Sequence, residues 1–147
     1  MRVFILVLFI GFMVISCNEN EAKVKGTPVS MQLPKDTSQY TSIQWLDSTK
    51  RNYGTIPEGK KLEVAYRFLN SGSKPLIIAR VQPSCGCTVA DQPDEPIQPG
   101  KEGVIKASFN SEGRIGINNK TIFVVANTRG VQSNELQFTV LVQKKKW

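Results

Sequence analysis

The 147-residue chain contains no histidine and only three cysteines, Cys17, Cys85 and Cys87. Without histidine it lacks the usual general base and the commonest protein ligand for transition metals. Serine–histidine–aspartate catalysis, cysteine–histidine catalysis and histidine-based zinc sites are therefore excluded. Because no other catalytic constellation is present, the sequence predicts a protein without enzymatic activity, without a cofactor and without a dedicated metal site.

Negative charge is also scarce, with 12 Asp and Glu against 19 Lys and Arg. The basic residues are scattered along the chain and have no aromatic residues beside them on which nucleic-acid bases would stack. Nucleic-acid binding is therefore not expected. A short basic tail, 144–147, ends the chain and is more typical of a solubilising segment than of a headgroup-binding site.

The one long hydrophobic run lies at the N-terminus, at 3–15 after Arg2. As a helix this run would rise about 20 Å, less than the roughly 30 Å hydrocarbon core of a membrane. It therefore predicts a signal peptide at 1–16 rather than a permanent transmembrane helix.

The end of this run, Val14-Ile15-Ser16-Cys17, resembles the bacterial lipobox. In that motif a signal peptidase cleaves before the cysteine, and the thiol is then acylated. The resemblance implies lipid attachment at Cys17 and a membrane-anchored lipoprotein of the cell envelope. If the cell has two membranes, we expect the outer membrane, with periplasmic or surface exposure. The alternative is an ordinary secretory peptide with an unmodified Cys17.

Between this cysteine and the first strand, residues 17–40 show no sustained apolar periodicity. Gly26, Pro28 and Pro34 interrupt any helix or central strand there. This segment is predicted to be a flexible linker between the lipid anchor and a folded domain at 41–143.

The domain at 41–143 is predicted to be all-β. In 61–69 every second residue is apolar, which is the period of a strand with one buried face. Similar patterns predict about seven strands and no helix, at 42–46, 52–56, 61–69, 75–82, 103–109, 120–126 and 135–143. Turn-forming residues separate the strands, among them Asn118-Asn119. The count is typical of an antiparallel immunoglobulin-like β-sandwich, with a five-stranded barrel as the alternative.

Several short motifs occur in one order along the domain. They are Tyr53-Gly54-Thr55-Ile56, Phe68-Leu69-Asn70-Ser71-Gly72, Lys74-Pro75-Leu76-Ile77-Ile78, Ser84-Cys85-Gly86-Cys87-Thr88 and Ile97-Gln98-Pro99-Gly100. In this order they resemble the bacterial domain-of-unknown-function 1573 family. The resemblance implies an immunoglobulin-like domain of the Hydin or PapD kind, often on lipoproteins of Bacteroidota, with no established activity.

The most specific of these motifs contains a close cysteine pair, Cys85 and Cys87, flanked by the signature residues Ser84, Gly86 and Thr88. One interpretation is a disulfide in an oxidising envelope, with Gly86 tolerating a strained turn. A second is a redox site, although no Cys-x-x-Cys motif is present. A third is a soft-metal site for Cu(I) or Zn(II), although zinc would need two further ligands. The fourth is a reduced structural turn with Gly86 at an unusual φ.

The sequence thus supports two functional hypotheses. The first is a non-enzymatic, lipid-anchored envelope protein whose immunoglobulin-like domain is a binding or structural module. Its partner would be a protein or a surface polymer, contacted through loops or an exposed strand edge. The alternative is a thiol-redox or soft-metal-handling envelope protein that uses the Cys85-Gly86-Cys87 pair.

Overall fold

The computed structural model describes residues 32–130 and 133–145. This part of the chain contains one 3₁₀ turn, Thr37–Gln39, followed by eight strands. The strands are β1 Ile43–Trp45, β2 Lys50–Pro57, β3 Lys61–Asn70, β4 Ile78–Pro83, β5 Thr88–Asp91, β6 Glu102–Asn110, β7 Gly116–Ala126 and β8 Ser133–Gln143. Within the described ranges, no helix has the length and apolarity needed to span a membrane.

The strands form two four-stranded sheets. One sheet has the order β1-β3-β6-β5 and the other has the order β2-β8-β7-β4. Neighbouring strands are antiparallel except β2 and β8, which are parallel. Because β1 and β2 are consecutive in the chain but lie in different sheets, the chain crosses from one sheet to the other between these two strands. This arrangement is an immunoglobulin-like β-sandwich, as predicted. The alternative of a barrel is wrong, because the strands form two separate sheets.

Apolar side chains at alternate strand positions fill the interior of the sandwich. In β3, Val64, Tyr66 and Phe68 are buried, and the residues between them are exposed. Three other long strands contribute buried residues in the same way. They are Ile105, Ala107 and Phe109 of β6, Ile122, Val124 and Ala126 of β7, and Leu136, Phe138, Val140 and Val142 of β8. Burying each large apolar side chain contributes about 1.5–3 kcal/mol. The packed interior therefore stabilises the fold.

A buried asparagine, Asn70, holds together one end of the sandwich. Its Oδ1 accepts a hydrogen bond from the Thr41 hydroxyl at 3.0 Å. Its Nδ2 donates to the carbonyls of Lys74 and Ile97, both at 2.8 Å. Because the chain enters the domain here from its N-terminal part, we call this the tether end.

Asn127 has the same role in the other sheet. Its Oδ1 accepts a hydrogen bond from the Ile77 N–H at 2.7 Å. Its Nδ2 donates to the carbonyls of Gln39 and Pro75 at 2.9 and 3.0 Å. Pro75 and Ile77 lie in the connection between β3 and β4, and Gln39 lies in the 3₁₀ turn, so this one side chain holds two segments at the tether end.

The two ends of the sandwich are connected by β3. Its last residue, Asn70, lies at the tether end, and its first residue, Lys61, pairs with Asn110 of β6. The N–H of Asn110 donates to the Cys87 carbonyl at 2.9 Å, so the cysteine pair lies at the opposite end, which we call the cysteine end. Ten strand residues at about 3.3 Å each separate the two ends by roughly 30 Å.

Seven of the eight strands correspond to predicted ones. The sequence pattern does not predict β5, because its four residues are too few to show a clear alternation. The predicted strand 75–82 begins too early. Leu76 instead makes an isolated bridge with Ile97, in the connection between β5 and β6, and β4 begins only at Ile78.

The predicted turn at Asn118-Asn119 is wrong. Both residues lie inside β7, which begins at Gly116, four residues before the predicted strand at 120–126. The pairing of β7 with the long strand β8 overrides the turn preference of the two asparagines, because it extends from Gly116 to Val125 without interruption. This extension of β7 lies at the cysteine end.

Candidate functional site

The cysteine loop, 84–88, connects β4 to β5 at the cysteine end. The sulfur atoms of Cys85 and Cys87 lie 2.00 Å apart, which is disulfide distance, and their Cα atoms are 5.3 Å apart. Cys87 is only 8% exposed and belongs to the hydrophobic core, and the half-buried Cys85 packs against that core. Gly86 is exposed. The loop therefore rests on the core with its tip in solvent.

Hydrogen bonds attach the cysteine loop to both sheets. The N–H of Ser84 donates to the Thr121 carbonyl at 2.8 Å, and the N–H of Thr121 donates to Ser84 Oγ at 3.2 Å. On the other side, the N–H of Asn110 donates to the Cys87 carbonyl at 2.9 Å. Because β4 and β5 belong to different sheets, the chain crosses between the sheets at this loop, and the sulfur pair lies at the crossing.

Thr88 and Gly86 are the two remaining residues of the Ser84-Cys85-Gly86-Cys87-Thr88 motif. The N–H of the buried Thr88 donates to the Cys85 carbonyl at 3.2 Å, and its hydroxyl lies 3.8 Å from Cys85 Sγ and 3.9 Å from Cys87 Sγ. The expectation that Gly86 needs an unusual φ is wrong, because Gly86 does not have a positive φ. A Cβ atom at Gly86 would also meet no atom within 4 Å. The turn is therefore made with ordinary backbone angles.

A shallow depression of about 450 Å³ lies beside the loop, lined in part by Cys87, Lys61, Asp91 and Lys106. Its charges are mixed, and Lys61 Nζ lies 3.3 Å from Oε1 of Glu63. In the described part of the chain, no group of three His, Cys, Asp or Glu side chains is placed to hold a metal ion. Sulfur atoms joined in a disulfide also offer no thiolate, so a soft metal would require the reduced pair.

Two basic side chains lie close together at the cysteine end. Lys120 Nζ lies 5.5 Å from the centre of the Phe109 ring. Burial lowers the pKa of the Lys120 amine, and the nearby Arg114 guanidinium lowers it further. No ion pair among the described residues involves Arg114 or Lys120. The carboxylate of Glu58 also lies in this corner, where its Oε1 accepts a hydrogen bond from the Gly113 N–H at 3.0 Å, but it forms no ion pair with either basic side chain.

The predicted lipid-attachment residue, Cys17, lies outside the described residues, and so do the predicted signal peptide at 1–16 and the predicted linker as far as residue 31. The last part of that linker, 32–40, contains the 3₁₀ turn and is joined to the domain. The carbonyl of Gln39 accepts a hydrogen bond from Asn127 at 2.9 Å.

Two exposed isoleucines at the cysteine end are not singled out by the sequence. Ile115 is 59% exposed and Ile117 is 73% exposed. The sequence does offer one indication of them. Both isoleucines lie in the otherwise polar segment 110–120, outside the buried positions of the predicted strands. Exposed aliphatic side chains of this size are typical of contact surfaces when they cluster.

Comparison with known proteins identifies one family. The family model described as "Protein of unknown function (DUF1573)" matches residues 44–142, about two thirds of the chain. This range contains the cysteine loop and all strands from β2 to the end of β7. Among curated proteins, none matches the sequence significantly.

Solved structures share the fold at low sequence identity. A protein of unknown function from Porphyromonas gingivalis is similar with a TM-score of 0.62 and 17% identity, over 72% of this chain and 49% of that chain. The chain thus spans about half the length of this relative. The PapD-like domain 7 of human CEP192 has a TM-score of 0.53 and 12% identity, over 82% of this chain and 99% of that domain.

A third similar structure is the secreted serine protease VesC from Vibrio cholerae. Its TM-score is 0.52 and its identity is 12%, and the match covers 73% of this chain but only 24% of the protease. At such identities the three likenesses concern the fold alone, because one fold carries many unrelated functions.

Proposed function

The chain belongs to the family described as "Protein of unknown function (DUF1573)", and we propose that it is a non-enzymatic, lipid-anchored envelope protein whose immunoglobulin-like domain binds a partner. The observation that carries the proposal is the sandwich itself. Its interior is filled by apolar side chains such as Tyr66, Phe68 and Phe138, so a partner is met at the surface.

Lipid attachment at Cys17 would anchor the protein to a membrane of the cell envelope. The support is the lipobox-like Val14-Ile15-Ser16-Cys17 at the end of the apolar run. Several acyl chains on one cysteine would give a stable anchor, whereas a single chain gives only marginal binding. Since the chain enters the domain at the tether end, the cysteine end would face away from the membrane.

Acylation is tested by growing cells that express the full-length protein with an alkyne-tagged fatty acid. We expect the label on the wild-type chain in the membrane fraction and no label on the Cys17→Ser variant. If the wild-type chain in membranes has an unmodified Cys17, the anchor is refuted.

The cysteine pair would be a structural cross-link where the chain changes sheets. Its support is the burial of Cys87 and the hydrogen bonds that tie the loop to both sheets. For a ring of three residues, the chain-entropy relation gives a stabilisation of about 1.6 kcal/mol. We therefore expect the Cys85→Ser/Cys87→Ser variant to remain folded and to be less stable by about 1.6 kcal/mol in urea denaturation.

The alternative function is thiol-redox or soft-metal handling by Cys85 and Cys87. The half-buried Cys85 and the exposed Gly86 leave one side of the pair open to reactants. Differential alkylation with mass spectrometry separates the two functions. A pair that is fully oxidised in cells and inert to mild thiol reductants contradicts the alternative, whereas a mixed or metal-protected thiol state contradicts the structural role.

Binding is tested by chemical cross-linking of the full-length protein in intact envelopes, followed by mass spectrometry. We expect a reproducible cross-linked partner at the surface of the domain. Cross-links confined to random abundant proteins would contradict the proposal.

A further inference from the structure

We infer that Gly116–Asn119, the first part of β7, is a docking edge for an extended acidic segment of a partner polypeptide, which adds as a strand beside it. We call these four residues the β7 edge. The inference rests on the proposed binding function, and it names the site and the chemistry of the partner.

The β7 edge exists because β7 is longer than its neighbour β4. β7 has 11 residues and β4 has six. The last pair between the two strands is Pro83 with Ile122, followed by the hydrogen bonds of Ser84 with Thr121. After Ser84 the chain passes through the cysteine loop to β5, which lies in the other sheet. Over Gly116–Asn119, β7 pairs with β8 on one side, and no described strand pairs with it on the other.

The direction of the main-chain groups follows from Thr121. Its C=O accepts from Ser84 and its N–H donates to Ser84, so both groups point to the β4 side. In a strand, main-chain groups point the same way at every second residue. Those of Asn119 and Ile117 therefore also point to the β4 side, beyond the end of β4. No described residue is hydrogen-bonded to them there, so they are available to an added strand.

The outer face of the β7 edge is apolar. Ile117 is 73% exposed, and its cross-strand partner on β8 is the half-buried Leu141. Ile115, 59% exposed, precedes the edge by one residue. Alternate side chains of an added strand would lie on the same face as Ile117 and Leu141, where they bury apolar surface on both partners.

The charge at the β7 edge determines the partner's chemistry. Arg114, Lys120 and the exposed Lys144 lie at this end of the sandwich, and neither Arg114 nor Lys120 forms an ion pair in the described structure. Glu58 is the carboxylate bonded to this segment, through the Gly113 N–H, so the basic side chains outnumber it. An acidic segment balances this charge. A second copy of the chain instead brings the same basic side chains together across the interface, which is unfavourable.

A matched pair of variants tests the main-chain contact. Asn119→Pro removes the N–H that points to the open side and leaves the N–H groups that face β8 in place. Asn119→Ala removes the same side chain, including its 2.8 Å hydrogen bond from the Thr139 hydroxyl, but keeps the N–H. The alanine variant is therefore the control for loss of the side chain.

The probes are fluorescein-labelled hexapeptides of alternating Val and Thr that carry Glu at either end, and a matched set that carries Lys. Binding to the full-length protein in detergent micelles is measured by fluorescence anisotropy. We expect the Glu peptides to bind wild type and Asn119→Ala equally, and Asn119→Pro at least about tenfold more weakly. The preference for Glu over Lys peptides should decrease in Arg114→Gln.

The inference is overturned if no Glu peptide binds the wild-type protein, or if the alanine and proline variants bind alike. It is also overturned if the wild-type protein dimerises and Asn119→Pro does not, because the β7 edge then serves a second copy. If Asn119→Pro fails to fold, N-methylated peptides replace it. Methylation of the amides that face β7 should abolish binding, and methylation of the alternate amides should not.

The same variants separate this inference from the proposed function. If cross-linking in envelopes captures one partner equally with Asn119→Ala and Asn119→Pro, the binding function stands and the β7 edge is rejected. If neither the variants nor the wild-type protein give a specific partner, the binding function itself fails.

Discussion

Replacing Asn127 by alanine should destabilise the domain strongly, because this buried side chain holds connecting segments together at the tether end. The side chain is 1% exposed and makes three hydrogen bonds, one from the Ile77 N–H and two to the carbonyls of Gln39 and Pro75. Asn127→Ala leaves all three groups without this partner. At a net 0.5–1.5 kcal/mol for each hydrogen bond, the loss in free energy of unfolding is about 3 kcal/mol.

The assay is urea denaturation of the full-length protein followed by circular dichroism, together with thermal melting. A domain of this size loses roughly 4 °C in Tm per kcal/mol, so we expect a decrease of about 12 °C. Asn119→Ala is the matched control, because Asn119 is exposed and its side chain makes one surface hydrogen bond. Its loss should be below about 0.5 kcal/mol. A loss below 1 kcal/mol for Asn127→Ala, or equal losses for the two variants, would refute the reasoning.

Two further predictions concern glycine positions and acid stability. A Cβ atom at Gly103 would overlap the ring of the buried Phe68, at 2.8 Å from Cε2 and closer to Cζ, so Gly103→Ala should cost about 1–3 kcal/mol in urea denaturation. Gly86→Ala should change stability by less than about 0.5 kcal/mol, and equal effects of the two substitutions would contradict the packing argument. Hydrogen bonds from the Arg67 side chain and main chain lower the pKa of the Asp47 carboxyl below its ordinary value. A carboxyl with a lowered folded pKa stabilises the protein above its unfolded pKa and ceases to do so as the pH falls through the folded pKa. The urea midpoint of the wild type should therefore decrease more below about pH 4 than that of Asp47→Asn, and parallel pH profiles would contradict this assignment.

The fold could be predicted because each long strand of a sandwich has one face in the interior. Its sequence therefore has an apolar residue at every second position. β3 shows this most clearly, with Val64, Tyr66 and Phe68 buried between exposed neighbours. The resemblance to the DUF1573 family, based on motifs from Tyr53 to Gly100, is confirmed by the family match over residues 44–142. The strand periodicity and the family motifs are both written in short stretches of sequence, and both indicate the same immunoglobulin-like sandwich.

The candidate sites could be predicted only in part. The closeness of Cys85 and Cys87 is evident from their spacing, but the ordinary φ of Gly86 is not, because nothing in the sequence reports backbone angles. The β7 edge could not be predicted either. It depends on the difference in length between β4 and β7, and the asparagines at 118 and 119 favour a turn unless pairing with β8 is known.

The most direct measurement of the β7 edge is residue-resolved amide hydrogen exchange on the full-length protein by NMR. The N–H groups of Asn118 and Lys120 face β8, where these residues pair with Val140 and Phe138. The N–H group of Asn119, between them, faces the open side. We predict that the Asn119 amide exchanges faster than its two neighbours by on the order of a hundredfold and becomes protected when a Glu peptide binds. Equal protection of the three amides in the free protein would contradict it.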